Sequence, residues 1–233
     1  MSQTTIGTNL QRVRERIAQA AMRAGRDPQE IQLVAVSKTM SAATVRQAIQ
    51  AGATILGENY VQEARKKIEE IGHAPRWDFI GHLQSNKASY AVDLFDIIHS
   101  VDRLSLAREI SKLAEKQGKT IKILVQVNIS GEEAKSGIDP GGVNALVKEI
   151  VSLPNVSVEG LMTMPPFFDD PEMARPYFIA LRKLRNTLRE EMGEYIDLKE
   201  LSMGMSGDFE VAIEEGSTLV RVGTAIFGER TYT

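Results

Sequence analysis

The sequence contains no cysteine, which excludes disulfide bonds, thiolate metal sites and thiol nucleophiles. Lack of cysteine is typical of proteins from a reducing compartment, so we expect a cytoplasmic protein. Long apolar runs are also missing, and no stretch approaches the ~20 apolar residues of a membrane-spanning helix. Charged residues interrupt the first 26 positions, which predicts neither a signal peptide nor a membrane anchor. We therefore expect no association with membranes.

Neither sign of charge is in large excess. Lys and Arg number 28, Asp and Glu number 31, the formal net charge is -3, and no basic block is present. Binding to a nucleic acid backbone requires a concentrated positive surface, so nucleic acid is not an expected partner. The 233 residues include 42% apolar residues and no Pro/Gly/Ser-rich linker. This length and composition predict a single domain, residues 1–233, with one large core.

Short apolar runs alternate with amphipathic segments along the chain. The runs are rich in Val and Ile, as expected of strands that are covered on both faces in a parallel sheet. About eight are present: IQLVAVSK, TILGEN, WDFIGHL, DIIHSVD, KILVQVNIS, VEGLMTM, LKELSMGMS and TLVRVGTAIFG. An amphipathic helix precedes the first run, and helical patterns lie between most of the others. These patterns cover residues 41–51, 60–71, 104–117, 142–151, 173–192 and 208–215.

This alternation predicts right-handed crossovers and an α/β fold with a parallel sheet. Eight strand-helix units favour a single closed (β/α)8 barrel of the TIM type, with an extra N-terminal helix. A doubly wound open sheet is the alternative. It usually has fewer strands and a glycine-rich first turn, whereas the first strand here leads into Ser37, Lys38 and Thr39.

Lys38 ends the first apolar run, and functional residues of such barrels lie at the carboxyl ends of the strands. Partial desolvation at the barrel mouth disfavours the ammonium form of a lysine and frees the amine to form a Schiff base with a carbonyl compound. The residue alone leaves a second interpretation open, in which Lys38 is a solvated lysine that closes a strand.

The seventh and eighth runs end in residues that suit an anion. Ser206 precedes a helical pattern, where a hydroxyl and backbone amides bind anions at a helix N-terminus. Gly223 allows backbone N–H groups to approach a ligand, and Thr224 adds a hydroxyl. Phosphate sites in barrels are commonly built from these two loops. An N-cap serine and a chain-reversing glycine are the alternative interpretation.

Arg221 and His82 are further candidates at the mouth. Arg221 shares a strand face with Gly223, so it either pairs with a carboxylate such as Glu58 or faces an aromatic nitrogen of a bound ring. His82 is either a ligand contact or a structural residue. No second histidine or carboxylate lies near it at metal-ligand spacing, so no metal site is predicted. We interpret four methionines near two strand ends as apolar packing: Met162, Met164, Met203 and Met205.

Together these segments resemble the pyridoxal phosphate homeostasis proteins. The resemblance covers nearly the whole chain. It is carried by LVAVSKT, LGENYVQEA, WDFIGHLQSNK, IHSVDR, VQVNIS with KSGI, GLMTM and LSMGMSGDFEVAIEEGSTLVRVGTAIFG. It implies a single (β/α)8 barrel that resembles the N-terminal domain of alanine racemase and binds pyridoxal 5′-phosphate through a Schiff base.

The resemblance also implies site residues. Lys38 matches the family's Schiff-base lysine, and Arg221 matches the arginine beside the pyridine nitrogen. Asn59 lies in a GEN segment near the cofactor, Met205 joins the predicted cofactor-binding set, and Lys135 matches a lysine on the cofactor's route. The residues that match the phosphate cradle are Ser206, Gly223 and Thr224.

The function that follows is a monomeric, non-catalytic carrier. A cationic Arg221 beside the ring nitrogen opposes the protonation that makes the ring an electron sink, so carbanion chemistry is disfavoured. No residue is assigned as catalytic, because neither Tyr60 nor His82 is an assured second acid or base. We predict reversible sequestration of pyridoxal phosphate and its delivery to apo-enzymes. The alternatives are a small monomeric pyridoxal phosphate-dependent amino-acid racemase or lyase, and a barrel aldolase that uses Lys38.

Overall fold

The structure is a computed structural model that describes residues 5–132, 134–193 and 196–229. Eight strands lie in these ranges: β1 (Gln32–Val36), β2 (Ile55–Glu58), β3 (Arg76–Phe79), β4 (Ile97–Val101), β5 (Ile121–Gln126), β6 (Val156–Met162), β7 (Glu200–Ser202) and β8 (Leu219–Val222). The same ranges contain nine α-helices: α1 (Ile6–Arg23), α2 (Ala42–Gln50), α3 (Val61–Ile71), α4 (Ala88–Leu94), α5 (Leu104–Lys116), α6 (Val143–Val151), α7 (Arg175–Met192), α8 (Phe209–Glu214) and α9 (Thr224–Phe227). None of the helices in these ranges has both the length and the hydropathy needed to span a bilayer.

The eight strands form a closed parallel barrel in chain order. Closure occurs between β1 and β8, where Val34 is opposite Arg221 and Ala35 is opposite Val222. The predicted (β/α)8 fold with an N-terminal helix is therefore confirmed. Because all strands are parallel, their carboxyl ends share one rim of the barrel, and the loops that carry the candidate residues meet there.

Alternating residues of each strand divide the apolar core into two layers. One layer fills the barrel interior and consists of Val34, Ile55, Ile97, Leu124, Met162 and Leu219. The larger layer lies between the strands and the surrounding helices, and α1 contributes Leu10, Val13 and Ile17 to it. The interior layer packs the barrel with apolar side chains.

Two elements differ from the sequence prediction. The segment TAIFG was predicted to continue the eighth strand, but β8 ends at Val222 and Thr224–Phe227 form α9. Gly223 turns the chain, and its carbonyl accepts from the N–H groups of Ile226 and Phe227. The second difference is α4, a seven-residue helix between β3 and β4 that no pattern predicted.

Candidate functional site

A cavity of about 350 Å³ opens at the carboxyl rim of the barrel. This volume lies in the range of small-molecule sites. All seven residues of the predicted cofactor-binding set line it: Lys38, Asn59, Met205, Ser206, Arg221, Gly223 and Thr224. The structure thus brings together residues from the ends of four strands, β1, β2, β7 and β8. The contact that each residue makes with a ligand is a prediction.

Lys38 lies two residues beyond β1, in the loop that leads to α2. It is half-buried and lines the cavity. Val34 and Val36 precede it at alternating positions, and Val34 belongs to the barrel interior. The strand therefore directs Lys38 to the mouth rather than to the outer helices.

Ser206 joins the loops that follow β7 and β8. Its Oγ accepts from the backbone N–H groups of Gly223 (3.2 Å) and Ala225 (3.4 Å). Among the described residues, the backbone N–H groups of Ser206, Gly207 and Thr224 have no acceptor within the protein. The N-termini of α8 and α9 lie here, and unpaired amides at helix N-termini suit a phosphate. The donor set therefore fits the phosphate group of pyridoxal phosphate.

Asp208 brings a carboxyl group to the same cavity. Its Oδ1 accepts from the backbone N–H of Met205 at 2.6 Å and so closes the turn before α8. Burial raises the pKa of Asp208, while hydrogen bonding to the Met205 N–H and the charge of Arg221 oppose this rise. Asp208 is thus fixed to the protein backbone beside the phosphate-type loop.

Arg221 lies in the barrel interior, only 3% exposed. Its Nη1 donates to Ser202 Oγ at 2.6 Å and its Nη2 donates to the carbonyl of Thr163 at 2.9 Å. Burial lowers the pKa of Arg221 to about 10, and the charge of Asp208 acts in the opposite direction. The guanidinium is therefore held in a fixed orientation at the base of the cavity.

The suggested pairing of Arg221 with Glu58 is wrong. Glu58 accepts instead from Lys67 Nζ at 2.7 Å and from Ser37 Oγ at 2.6 Å. The reason is strand alternation. Ile55 of the same strand faces the interior, so Glu58, three residues later, faces outward to α3.

A chain of buried polar groups continues from Arg221 into the barrel. His99 Nδ1 lies 3.0 Å from Ser202 Oγ, and its Nε2 lies 3.1 Å from Asp78 Oδ2. Arg221 only donates, so Ser202 accepts from it. In a neutral His99 whose Nε2 carries the hydrogen, Nδ1 is an acceptor, and the Ser202 hydroxyl donates to it. His99 then donates its Nε2 hydrogen to Asp78, which also accepts two bonds of 2.9 Å from Arg76. Burial lowers the pKa of His99, which favours this neutral tautomer.

His82 and Lys135 take different positions relative to the cavity. His82 lines it, with Nδ1 3.1 Å from Ser136 Oγ. Lys135 is not among the lining residues and pairs with Glu132 at 2.8 Å. Of the four methionines, Met162 and Met203 are buried among apolar residues, whereas Met164 and Met205 line the cavity.

Several lining residues were missed by the sequence analysis. Ile80, Phe167 and Phe168 supply apolar surface, and Gln126 and Ser136 supply polar atoms. The two phenylalanines belong to the loop between β6 and α7, which showed no strand or helix pattern. Adjacent aromatic residues in a loop that follows a barrel strand are the signal that locates them at the rim.

Comparison with known proteins places this geometry in a family. Residues 8–231 match the family model of the alanine racemase N-terminal domain. A pyridoxal phosphate homeostasis protein from Aquifex aeolicus is 47% identical over 224 residues, which cover 96% of this chain and 97% of that protein. The protein of the same name from Escherichia coli is 41% identical over 232 residues, 98% of each chain.

The chain belongs to the pyridoxal phosphate homeostasis protein family. PipY of Synechococcus elongatus, whose structure was solved with pyridoxal phosphate bound, superposes with a TM-score of 0.81 at 38% identity, over 91% of this chain and 100% of PipY. Alanine racemase from Corynebacterium glutamicum has a TM-score of 0.70 at 19% identity, over 95% of this chain and 62% of the racemase. This homeostasis family thus shares its barrel with a larger enzyme.

Proposed function

We propose that the protein binds pyridoxal 5′-phosphate through a Schiff base on Lys38 and acts in the homeostasis of this cofactor. The main support for this proposal is that one cavity contains both the amine of Lys38, which can capture an aldehyde, and a loop at Ser206 whose unpaired amides can hold a phosphate. PipY, a relative with the same barrel, has been solved with this ligand. The protein then keeps a reactive aldehyde out of solution and releases it to apo-enzymes.

Each residue of the predicted set has a role in this proposal. When bound, pyridoxal phosphate supplies an aldehyde, a pyridine ring and a phosphate. Lys38 would hold the aldehyde as a Schiff base, with loss of one water. Arg221 would face the ring nitrogen, and Asn59 and Met205 would lie beside the ring. Ser206, Gly223 and Thr224 would hold the phosphate.

The charge of Arg221 supports a non-catalytic role. Its hydrogen bonds go to a hydroxyl and a carbonyl, so it keeps a full positive charge at the base of the cavity. A cation beside the ring nitrogen opposes protonation of the ring and weakens it as an electron sink. We therefore propose a cytoplasmic carrier without robust catalysis. We also propose that it acts as a monomer.

Attachment is tested by adding pyridoxal phosphate, reducing with borohydride and mapping the modified peptide by mass spectrometry. We expect an absorption band in the visible range that borohydride removes, and a modification on Lys38. Exclusive modification of another lysine, or the absence of any band, contradicts the proposed site.

The carrier role is distinguished from the racemase or lyase alternative by exchange of α-protons. The loaded protein is incubated with individual amino acids in deuterated water and followed by NMR. We expect exchange no faster than with free pyridoxal phosphate at the same concentration. Faster exchange would establish an enzyme, and the matched control is the Lys38→Ala variant.

A further inference from the structure

Three charged residues on the outer side of the barrel wall contact the loop that carries Lys38. Lys67 Nζ donates to Glu58 Oε1 at 2.7 Å, to Glu63 Oε1 at 2.6 Å and to the backbone carbonyl of Ser37 at 2.6 Å. We call Glu58, Glu63 and Lys67 the Lys67 cluster. Lys67 is 4% exposed and Glu58 is fully buried, so these two members lie in the interior of the protein, and Glu63 is partly exposed.

The Lys67 cluster fixes the residues on both sides of Lys38. Before it, Ser37 is held at its carbonyl by Lys67 and at its hydroxyl by Glu58. After it, the backbone N–H of Thr39 donates to Glu63 Oε1 at 2.5 Å. The cluster therefore sets the backbone direction at Lys38 without touching the cavity, since none of its three members is a lining residue.

Thr39 shows that this loop is constrained. Its φ is +68°, in the left-handed region that threonine, a β-branched residue, rarely adopts. Such a conformation persists only when the surroundings determine it. The hydrogen bond from the Thr39 N–H to Glu63 stabilises this conformation, and Thr39 is the residue next to Lys38.

The charges of the cluster are costly for the fold. One ammonium faces two carboxylates, and Glu58 Oε2 is buried without a hydrogen-bond partner among the described residues. Burial raises the pKa of Glu58, against the opposing effect of Lys67. An apolar set of similar volume is often at least as stable as a buried ion pair. The cost of these buried charges therefore suggests that the cluster serves to position the loop rather than to stabilise the fold.

We propose that the Lys67 cluster is a positioning device that orients Lys38 for capture of the pyridoxal phosphate aldehyde. This inference rests on the proposed function. In the step it serves, the Lys38 nitrogen adds to the aldehyde carbon, two nitrogen-bound hydrogens leave with the carbonyl oxygen as one water, and a carbon–nitrogen double bond remains. No oxidant or reductant is consumed. Glu63 is the member to test, because it contacts both Thr39 and Lys67 and is itself partly exposed.

Two substitutions distinguish the effect of the length of the Glu63 side chain from the effect of its charge. Glu63→Asp keeps the charge and shortens the side chain by one methylene, whereas Glu63→Gln keeps the length and an oxygen acceptor. The rate of Schiff-base formation is followed by stopped-flow absorbance. Affinity is measured separately with 4′-deoxypyridoxine 5′-phosphate, which has the phosphate and ring but no aldehyde.

We expect Glu63→Asp to slow capture roughly tenfold and Glu63→Gln to stay within about threefold of the unchanged protein, because small misplacements of a reacting group reduce rates strongly. Affinity for the aldehyde-free analogue should change less than about twofold in both, as the phosphate loops are not altered. The same substitutions at Glu69 are the matched control. Glu69 lies on the same helix, and its one ion-pair partner among the described residues is the exposed Arg65.

Other outcomes overturn the inference. Equal capture rates in all variants, slower capture in Glu63→Gln than in Glu63→Asp, or a parallel loss of analogue affinity would each show that the cluster does not position Lys38. These results differ from failure of the proposed function, which appears when the unchanged protein itself forms no Schiff base on Lys38.

Discussion

Ser202 is a small residue on which two buried side chains depend. Its hydroxyl accepts from Arg221 and lies 3.0 Å from His99, deep inside the barrel. The interior admits no replacement partner from solvent, because Ser202 and His99 are both fully buried. Ser202, which does not line the cavity, thus helps to orient the guanidinium at its base.

We predict that Ser202→Ala lowers the free energy of unfolding by about 2 kcal/mol, because buried donors and acceptors of Arg221 and His99 are left unsatisfied. Urea denaturation measures the change. Ser105→Ala is the control, since Ser105 is exposed on α5, and its effect should stay within about 0.5 kcal/mol. A loss at Ser202 as small as that at Ser105 would contradict the proposed hydrogen-bond chain.

His99 should make stability depend on pH. Burial lowers the pKa of His99 in the folded state. Below the unfolded value of about 6.5, the unfolded chain therefore binds more protons than the folded protein, and the free energy of unfolding decreases as the pH is lowered. One such histidine lowers the free energy of unfolding of the protein by about 1 kcal/mol between pH 6.5 and pH 5.5. The raised pKa of Glu58 has the opposite effect, because it increases stability as the pH is lowered.

Because the two effects oppose each other, denaturation curves at these two pH values are compared between the unchanged protein and the His99→Gln variant. We expect the loss on acidification to be about 1 kcal/mol smaller in His99→Gln than in the unchanged protein. Glu58 contributes equally to both and cancels. An identical loss in both proteins would mean that His99 is not held neutral.

The sequence predicts which residues lie at the rim of the barrel, but it does not reveal most of the buried polar contacts behind and below the rim. Lys38, Ser206 and Gly223 follow apolar runs directly, so the barrel rule alone selects them. His99 lies inside the run IIHSV, where only register reveals that it faces inward. Lys67 appears in the sequence as one of several charges on an amphipathic helix. Its contacts depend on which helix face packs against the loop after β1.

At the scale of elements, α1 supports the helices that carry the phosphate-type loops. Asn9 donates to the carbonyl of Ile226 in α9 at 3.0 Å. Arg16 forms two hydrogen bonds with Glu210 of α8 and lies 4.7 Å from the ring centroid of Phe209. The N-terminal helix is thus attached to the elements that follow β7 and β8.

We predict that Leu10→Ala destabilises the protein by about 2–5 kcal/mol, because Leu10 is fully buried on the inner face of α1 and its truncation leaves a cavity. Thermal and urea denaturation measure the loss. Arg12→Ala on the exposed face of the same helix is the control, with an expected change within about 0.5 kcal/mol. Similar effects at both positions would argue against this packing.

Strand positions were predictable because β-branched runs form covered parallel strands. The two errors have local causes. α4 has only seven residues, too few to show a helical period clearly. The segment after Gly223 is as apolar as the strand before it, so hydropathy does not reveal where the strand stops and α9 begins.

At the scale of the whole molecule, ligand binding and folding are linked. The cavity joins loops from opposite ends of the sequence, so the proposed binding site exists only in the closed barrel. A ligand at 100 times its Kd then adds about 2.7 kcal/mol to stability. We predict that the melting temperature rises with the concentration of pyridoxal phosphate.

Pyridoxal, which has the aldehyde but no phosphate, is the matched ligand for this measurement. Its effect at equal concentration should be much smaller if the loops at Ser206 and Gly223 hold the phosphate. Equal shifts with both ligands would assign the binding energy to the aldehyde and ring alone.

The pairing of β1 with β8 also bears on synthesis. Lys38 leaves the ribosome early, but its partners Ser206 and Gly223 emerge about 170 to 185 residues later. A nascent chain therefore contains Lys38 long before it contains the loops proposed to hold the phosphate. If the proposed site is correct, specific binding of pyridoxal phosphate must follow translation of β8, and the bound ligand would mark a chain whose translation has passed that strand.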